Sequence, residues 1–333
     1  MIITTHAYAR AGLVGNPSDG YFGKTIAFSV RNFKAIVHLW ESPHFEIVPG
    51  QGDLAHFDTV RSFLRDTRLH GYYGGLRLQK ATVKKFHEHC RRRDIELHDR
   101  NFTLSFETDI PRLVGLAGSS AIITATLKAL LRFYEVDIPR HLMPALILSV
   151  ERDELGIQAG LQDRVIQTYE GIVYMDFDRQ LIEGRGYGIY EPITPPKLPP
   201  LYVAYDPERA EISDVAHRNL RELFDRGDPV VVGAMLKYRD LTDRGRAALM
   251  AGDWEDLNKV INENFDLRRT IMPIASENLR MVEAARATGA SAKFAGSGGA
   301  ICGLYHDGRQ YQALVDALAA LRCTVLRPLI YEA

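Results

Sequence analysis

The sequence predicts an α+β fold with two domains, and three observations lead to this prediction. The chain has 333 residues, 46% of them hydrophobic, a length that favours two cores over one. Strand patterns fill the first 40 residues, whereas four helical patterns follow residue 213. Between them, the segment 190–200 carries five prolines, which neither a helix nor a central strand accommodates. We therefore expect one domain over residues 1–190 and a second over 191–333.

Charge and cysteine content argue against several classes of protein. Lys and Arg number 41 against 42 Asp and Glu, so no strong field would attract nucleic acid or an anionic membrane. Cys90, Cys302 and Cys323 are odd in number and far apart, which argues against a disulfide framework or zinc site and fits a reducing cytoplasm. Apolar runs fall well short of ~20 residues, so we expect neither an export signal nor a membrane span. The oligomeric state stays open.

The N-terminal elements are predicted as strands over residues 2–14, 25–30 and 33–40. The first strand ends at a turn-forming cluster over residues 15–20, with the sequence G-N-P-S-D-G. The next residues, Gly23, Lys24 and Thr25, match the tail of a P-loop pattern. However, Ser18 stands where that pattern needs its first glycine, and strand-like residues follow where it needs a helix. We therefore assign no P-loop here.

A phosphate-binding loop is predicted in the middle of the chain. Two helical patterns, 57–69 and 76–90, precede a strand over 101–107. This strand leads into the stretch from Pro111 to Ala121, P-R-L-V-G-L-A-G-S-S-A, and a helix over 119–134. Glycines allow close backbone approach, and the unpaired N–H groups of a first helical turn attract anions, a combination that binds phosphate. The alternative is an ordinary loop in which Ser119 or Ser120 caps the helix.

The remaining elements are mostly helical. A helix over 139–154 ends in an acidic cluster that contains Glu151, and Asp163 follows it. Four helices are expected over 213–226, 229–251, 253–271 and 276–288. A strand, glycine turn and strand then occupy 291–305, before a helix over 310–321 and a strand over 323–331. Taken alone, the glycine turn could be a simple hairpin.

Several of these stretches resemble, in chain order, the motifs of the GHMP small-molecule kinases. The carrying stretches are R-A-G-L-V-G-N-P-S-D from Arg10 to Asp19, the loop P-x3-G-L-x-G-S-S-A, the pattern E-x4-G-x3-G-x2-D from Glu151 to Asp163, and K-F-A-G-S-G-G-A from Lys293 to Ala300. The resemblance implies the two-domain GHMP kinase fold, with an N-terminal domain like domain 2 of ribosomal protein S5 and a ferredoxin-like C-terminal domain. It also implies ATP and Mg²⁺ as cofactors.

The resemblance implies roles for particular residues in catalysis and nucleotide binding. Asp163 would face the acceptor hydroxyl as general base, while Arg10 would neutralise charge and keep that acid ionised. Glu151 and Ser120 would bind magnesium, with Glu154 as the alternative to Glu151 because the sequence does not fix the helix register. The nucleotide would be held by Pro111, Gly115, Leu116, Ala117, Gly118, Ser119, Ser120 and Ala121.

The sugar site is assigned in the same way. Asp19 would accept hydrogen bonds from sugar hydroxyls, beside Asn16, and the alternative for Asp19 is the cap of an Asx-turn. Galactokinase-like members have Glu and His where this chain has Asn16 and Pro17, which argues against simple galactose recognition. The resemblance further suggests that Gly296, Ser297 and Gly298 close over the substrate and the triphosphate.

Longer strings resemble one group within the superfamily, the glucuronokinases. They include G-N-P-S-D-x-Y-F-G, I-P-R-x-x-G-L-x-G-S-S-A-I, A-G-L-Q-D-R-V and N-F-D-x-R-R. This likeness implies transfer of phosphate from ATP to glucuronate, giving glucuronate 1-phosphate and ADP. The sugar's carboxylate would need a cation, for which Arg268 and Arg269, or Arg112, are candidates. Two alternatives stay open: a heptose-phosphate, galactose or other hexose 1-kinase, and a non-catalytic sugar sensor on the same fold.

Overall fold

The computed structural model describes residues 2–50, 53, 74–208 and 214–331, so the helix predicted over 57–69 lies outside the described residues. The strands are β1 Ile2–Val14, β2 Lys24–Glu41, β3 Glu46–Ile47, β4 Phe102–Thr108, β5 Ile172–Asp176, β6 Ile189–Ile193, β7 Leu201–Tyr205, β8 Lys293–Phe294, β9 Ala300–Leu304 and β10 Thr324–Leu326. The helices are α1 Gly75–Arg92, α2 Gly118–Phe133, α3 Met143–Ser149, α4 Gln162–Tyr169, α5 Arg179–Arg185, α6 Asp214–Asp225, α7 Pro229–Ala251, α8 Trp254–Ile271, α9 Ser276–Ala287 and α10 Gly308–Ala319. Within the described ranges, no helix is both long and apolar enough to cross a bilayer.

The chain forms two compact units whose segments alternate along the sequence. The first unit holds residues 1–9, 32–111 and 117–168, and the second holds 10–31, 112–116 and 169–333. The phosphate loop is therefore contributed partly by each unit, and so are strands β1 and β2. The domain boundary predicted at residues 190 and 191 stays a prediction.

The first unit combines paired strands with packed helices. The second half of β2 pairs antiparallel with β4, and β3 joins β4 in parallel. Helix α1 packs against α2. Leu78 and Phe86 lie on the buried side of α1, whereas α2 is buried on nearly every side, as its apolar run predicts. This packing fixes α2, and with it the phosphate loop at its start.

The second unit contains an antiparallel sheet in the order β10-β7-β9-β8. Side chains from β7, α8, α9, β9 and α10 share one core, which includes Tyr202, Phe265, Met281, Ile301 and Leu314. The first half of β2 pairs antiparallel with β5, which pairs in turn with β6. The four consecutive helices predicted after residue 213 are confirmed as α6 to α9.

Four local predictions differ from the structure. The final strand, predicted over 323–331, covers only Thr324–Leu326. The two strands predicted over 25–30 and 33–40 are one strand, β2, because its first half pairs with β5 and its second half with β4. The helix predicted over 139–154 is shorter, and its last turn, Val150–Glu154, is π-helical. The proline segment begins inside β6, an edge strand, where Pro192 needs no outward N–H partner.

Candidate active site

The phosphate loop has a backbone shaped for an anion. Leu113, Gly115 and Ala117 have φ of 55°, 73° and 64°, so every second residue is left-handed. Left-handed residues that alternate with right-handed ones form anion-binding concavities in proteins, and left-handed non-glycine residues are common at functional sites. Helix α2 then begins at Gly118, with Ala117 in the capping position and no side-chain cap. The alternative that Ser119 or Ser120 is the N-cap is therefore wrong.

Ser120 lies in the first turn of α2, and its side chain points back toward the loop. Its hydroxyl donates to the Ala117 carbonyl at 3.2 Å, and the residue is 1% exposed. Ser119, its neighbour, is partly buried. The two hydroxyls thus flank the start of a helix whose dipole is positive at this end. A helix start of this kind attracts anions.

The glycine turn between β8 and β9 contacts the phosphate loop. A side chain at Gly115 would place its Cβ 2.7 Å from the Gly298 carbonyl oxygen, and one at Gly296 would collide with the Gly115 carbonyl. At Gly299, with φ of 75°, the Cβ would lie 3.0 Å from the Cα of Val114. The two loops approach so closely that only glycine fits at these positions.

Arg10 joins these two loops. Its Nη1 donates to the Gly115 carbonyl at 2.6 Å and to the Ala295 carbonyl at 3.2 Å. The backbone repeats the connection, because Arg10 N donates to Leu116 O and Gly12 N donates to Ala295 O. Arg10 is 6% exposed. Its predicted role beside the reacting hydroxyl stays a prediction, while these contacts show that it shapes the loops.

The turn after β1 is fixed by a buried lysine. Lys293 Nζ donates to the Gly12 carbonyl and to Asn16 Oδ1, both at 2.5 Å, and to the Phe294 carbonyl at 2.8 Å. Burial lowers the pKa of Lys293 to about 8. Asn264 completes the arrangement, since it accepts from the backbone N–H of residue 15 at 2.6 Å. The predicted sugar contact Asn16 is therefore a buried side chain held within the second unit.

Asp19, the other predicted sugar contact on this turn, belongs to a short 3₁₀ helix, Ser18–Tyr21, and is partly exposed. Tyr21 is buried in the same turn, and burial raises the pKa of Tyr21 to about 12, although the nearby Arg221 guanidinium acts in the opposite direction. Arg221 stacks on the Tyr21 ring at 4.4 Å and donates to the Gly20 carbonyl. The segment around Asp19 is thus supported from α6.

The candidate arginines for a substrate carboxylate differ in their surroundings. Arg268 is 3% exposed, and its Nη1 and Nη2 donate to the carbonyls of Gly296 and Ser297 at 3.1 and 2.9 Å. Arg269 and Arg112 are exposed. Arg268 therefore holds the glycine turn from behind, and a direct contact with substrate stays a prediction for all three residues.

In the first unit, the predicted magnesium ligand and the predicted base share one arginine. Glu151 lies in the π-helical turn and is 2% exposed, while Asp163 lies in the first turn of α4. Arg164 Nε donates to Glu151 Oε2 at 2.7 Å, and Nη2 contacts the same oxygen. Arg164 Nη1 lies 3.2 Å from Asp163 Oδ2. Glu154, the alternative ligand, instead pairs with Lys84 at 2.6 Å.

Helix α4, which carries Asp163, is also bonded to the start of α2. Gln167 Nε2 donates to the Ala117 carbonyl at 2.9 Å and to the Tyr8 carbonyl at 3.2 Å. Because Gln167 lies one helical turn from Asp163, these bonds fix the helix against the end of the phosphate loop. Within the first unit, the helix that carries the predicted base is thus bonded to Ala117, the residue before α2.

Four residues that support the candidate site were not predicted from the sequence: Arg164, Gln167, Lys293 and Asn264. Arg164, Lys293 and Asn264 do lie inside the strings that carry the family resemblance. Their burial is the property that distinguishes them: Arg164 is 4% exposed and the other three are at 1%. A buried polar side chain within a motif is a usable signal, but burial cannot be read from a single polar letter.

Two family models match segments of this chain. The model for the N-terminal domain of GHMP kinases matches residues 77–171, which include the phosphate loop, Glu151 and Asp163. The model for the C-terminal domain of GHMP kinases matches residues 246–321, which include Arg268 and the glycine turn. The loops described above thus lie in or beside the segments that the family models cover.

Two curated relatives come from Arabidopsis thaliana. Probable glucuronokinase 2 is 43% identical over 93% of this chain and 86% of its own length, and glucuronokinase 1 is 42% identical over 94% and 88%. Among solved structures, phosphomevalonate kinase from Streptococcus pneumoniae superposes with a TM-score of 0.76 at 16% identity, covering 99% of this chain and 100% of its own. That superposition confirms the predicted α+β GHMP kinase fold. Matched by both family models, and related to two glucuronokinases over more than nine-tenths of its length, the chain belongs to the GHMP kinases.

Proposed function

We propose that this protein is an ATP-dependent sugar 1-kinase and that its substrate is D-glucuronate. The reaction transfers the γ-phosphoryl group of ATP to the anomeric oxygen, so the bond from that phosphorus to the bridging oxygen breaks and ADP leaves. Glucuronate 1-phosphate and a proton are the other products. The glucuronokinase relatives support the choice of sugar, and the phosphate loop supports the choice of chemistry.

The phosphate loop holds the triphosphate in this proposal. The left-handed residues Leu113, Gly115 and Ala117 fit the alternating backbone of an anion-binding loop, and the uncapped start of α2 adds unpaired N–H groups. Ser119 and Ser120 add hydroxyl groups at the same end of the helix. Phosphoryl transfer depends mainly on positioning and on neutralising charge, which is what such a loop supplies.

The residues present fit a magnesium ion that arrives with the nucleotide. Among the residues that the structure describes, no three acidic, histidine or cysteine side chains cluster to bind a metal by themselves. However, magnesium bound with a nucleotide takes only one or two protein carboxylates, with phosphate and water as its other ligands. Glu151 and Ser120 would supply a carboxylate and a hydroxyl oxygen. The ion would neutralise charge on the triphosphate when bound.

Asp163 acts on the acceptor hydroxyl in this proposal. A carboxylate accepts the hydroxyl's hydrogen bond and orients it, or takes the proton as the new O–P bond forms. Arg164 lies beside Asp163, and the side chain of Asp163 is 18% exposed, whereas that of Arg164 is 5% exposed. Asp163 thus retains access to a ligand while its charge is balanced from the buried side.

The glycine turn and the segment around Asp19 form the proposed sugar side of the site. Gly296, Ser297 and Gly298 would close over the substrate, and Asp19 would face its hydroxyl groups. Asn16, whose buried side chain is bound by Lys293, would hold the turn that carries Asp19. Arg268 holds the turn and brings a guanidinium to this part of the second unit. A guanidinium near the sugar would favour a uronate over a neutral hexose.

The observation that carries the proposal is the alternating left-handed backbone of the phosphate loop before an uncapped helix. The test is ADP release measured with a panel of sugars: glucuronate, galacturonate, galactose, glucose and a heptose phosphate. We expect the highest kcat/KM with glucuronate, and ³¹P NMR of the product should show an anomeric phosphate. Turnover of another sugar in preference to glucuronate would replace the proposed substrate. Binding of ATP and sugar without turnover would favour a sensor.

A further inference from the structure

Arg164 is an unusual buried arginine because its guanidinium contacts two carboxylates from two elements. Nε donates to Glu151 Oε2 at 2.7 Å, and Nη2 contacts the same oxygen. Nη1 lies 3.2 Å from Asp163 Oδ2 and also donates to the Gly160 carbonyl at 2.9 Å. The side chains of Arg164 and Glu151 are 5% and 3% exposed. Each of the three guanidinium nitrogens therefore has an oxygen partner.

A purely structural ion pair would not need this arrangement. A buried carboxylate needs one cation to offset its desolvation, and replacing such a pair by apolar residues is often neutral for stability. Here the cation reaches beyond Glu151 to Asp163, whose side chain is 18% exposed. The planar fork of arginine fixes both distance and direction between its partners, which a lysine cannot do. The two carboxylates are thus held at a set separation.

The backbone around these residues also constrains the two carboxylates. Glu151 lies in a π-helical turn, a feature found mostly at functional sites, and its carbonyl accepts from Ile157 N at 2.8 Å. The Arg164 carbonyl accepts from Thr168 Oγ1 at 2.7 Å, and Gln167 ties the same helix to the start of α2. Arg164 is therefore placed by α4 and acts on a side chain from a different element.

We propose that Arg164 is a positioning residue, which holds the carboxylate of Glu151 for the metal and that of Asp163 for the acceptor hydroxyl in one fixed arrangement. The inference rests on the proposed function, because it takes the roles of Glu151 and Asp163 from it. Hydrogen-bond partners of metal-binding carboxylates act in this way, and removing them costs about 10- to 100-fold in metal affinity or activity.

The test measures ADP affinity by calorimetry in excess EDTA and in excess MgCl₂, for the wild type, Arg164→Gln and Arg164→Lys. Arg152→Gln is the matched control, because Arg152 is exposed in the same π-helical turn as Glu151. We expect Arg164→Gln to bind ADP as tightly as the wild type in EDTA. The factor by which magnesium increases ADP affinity should be smaller than in the wild type by about 10-fold or more. Arg152→Gln should match the wild type. An unchanged or larger gain in Arg164→Gln would overturn the proposal.

Steady-state kinetics give a second measurement. With Arg164→Gln, kcat should fall by about 100-fold while KM for the sugar stays near its wild-type value, since the acceptor's own contacts are kept. If Arg164→Gln fails to fold, Arg164→Lys provides the test, because lysine keeps the positive charge but lacks the planar guanidinium group. We expect it to lose about 10-fold in kcat, and full activity with a normal magnesium response would refute a positioning role.

The two proposals fail in different ways. Calorimetry with ADP uses no sugar, so its result stands even if the wild type phosphorylates a sugar other than glucuronate. Absence of turnover by the wild type with every sugar would overturn the proposed function and leave the magnesium response of Arg164→Gln measurable. If the wild type turns over normally and Arg164→Gln matches it in both kcat and magnesium response, only the role of Arg164 would be overturned.

Discussion

At the scale of single residues, three buried cations in the second unit bind backbone carbonyl groups of the glycine-rich segments. Arg10 donates to Gly115 and Ala295, Arg268 to Gly296 and Ser297, and Lys293 to Gly12 and Phe294. Glycine-rich loops have no side chains of their own to hold their shape, and their backbone loses more conformational freedom on ordering than that of other loops. Charged donors make stronger hydrogen bonds than neutral ones, so these cations stabilise the loops.

Asp163 is the residue for which the proposed chemistry makes the sharpest prediction. Asp163→Ala should reduce kcat by about 10²- to 10⁴-fold, because the acceptor hydroxyl loses its base. Nucleotide affinity should be unchanged, since Arg164 keeps its contacts with Glu151 and Gly160. Asp153→Asn, which changes an exposed acid in the neighbouring π-helical turn, is the control and should behave as the wild type. Near-normal turnover of Asp163→Ala would remove it from the role of base.

Lys293 predicts a dependence of stability on pH. Burial lowers its pKa from 10.5 to about 8 in the folded chain, while the unfolded chain keeps the ordinary value. Between these values the unfolded state binds more protons, so stability from this group rises with pH; below about pH 8 both states are protonated and the contribution is constant.

Urea unfolding of the wild type and Lys293→Met measures this effect. The difference in unfolding free energy, wild type minus variant, should increase by roughly 1–2 kcal/mol from about pH 7.5 to about pH 9.5. Burial raises the pKa of Tyr21 to about 12, so its ionisation affects the unfolding free energy only at higher pH and affects the wild type and the variant alike. A difference that does not change with pH would mean that the Lys293 side chain titrates normally in the folded chain.

At the scale of elements, the contact between the two glycine loops makes a steric prediction. Gly115→Ala should destabilise the protein by roughly 1–3 kcal/mol, because the new Cβ would lie 2.7 Å from a carbonyl oxygen and φ is 73°. KM for ATP should rise as the loop shifts. The control is Gly233→Ala in α7, where the Cβ meets nothing within 4 Å, and where roughly 0.5–1 kcal/mol should be gained. Urea unfolding at one pH measures both, and a neutral Gly115→Ala would contradict the loop contact.

At the scale of the whole molecule, the three cysteines predict slow reaction with thiol reagents. Cys90, Cys302 and Cys323 are free and buried, and burial raises the pKa of Cys90 and Cys302, which lowers their thiolate fraction. We expect little reaction with Ellman's reagent in buffer and three equivalents in guanidinium chloride. ATP with magnesium should slow the reaction further if binding suppresses opening. Rapid reaction of the native protein would contradict the buried placement.

The sequence alone was sufficient where a local pattern has one physical solution. The helical periods after residue 213 give α6 to α9 nearly to the residue, because each apolar face must be buried. The phosphate loop at the start of α2 was likewise predicted from a local pattern, namely a strand followed by a glycine-containing loop, two serines and an apolar run. The resemblance, carried by long strings around these elements, identified the family. It did so because chemistry restricts residue types at fixed spacings.

Only the tertiary structure decided how distant residues share charge and space. The pairing of Arg164 with Glu151 joins residues 13 positions apart, and that of Lys293 with Asn16 joins residues 277 positions apart. The contact between the two glycine loops likewise joins distant segments. The joining of two predicted strands into β2 and the π-helical turn at Glu151 were equally undecided by the sequence. Such features depend on which polar groups become buried together, and burial is set by the packing of whole elements rather than by local pattern.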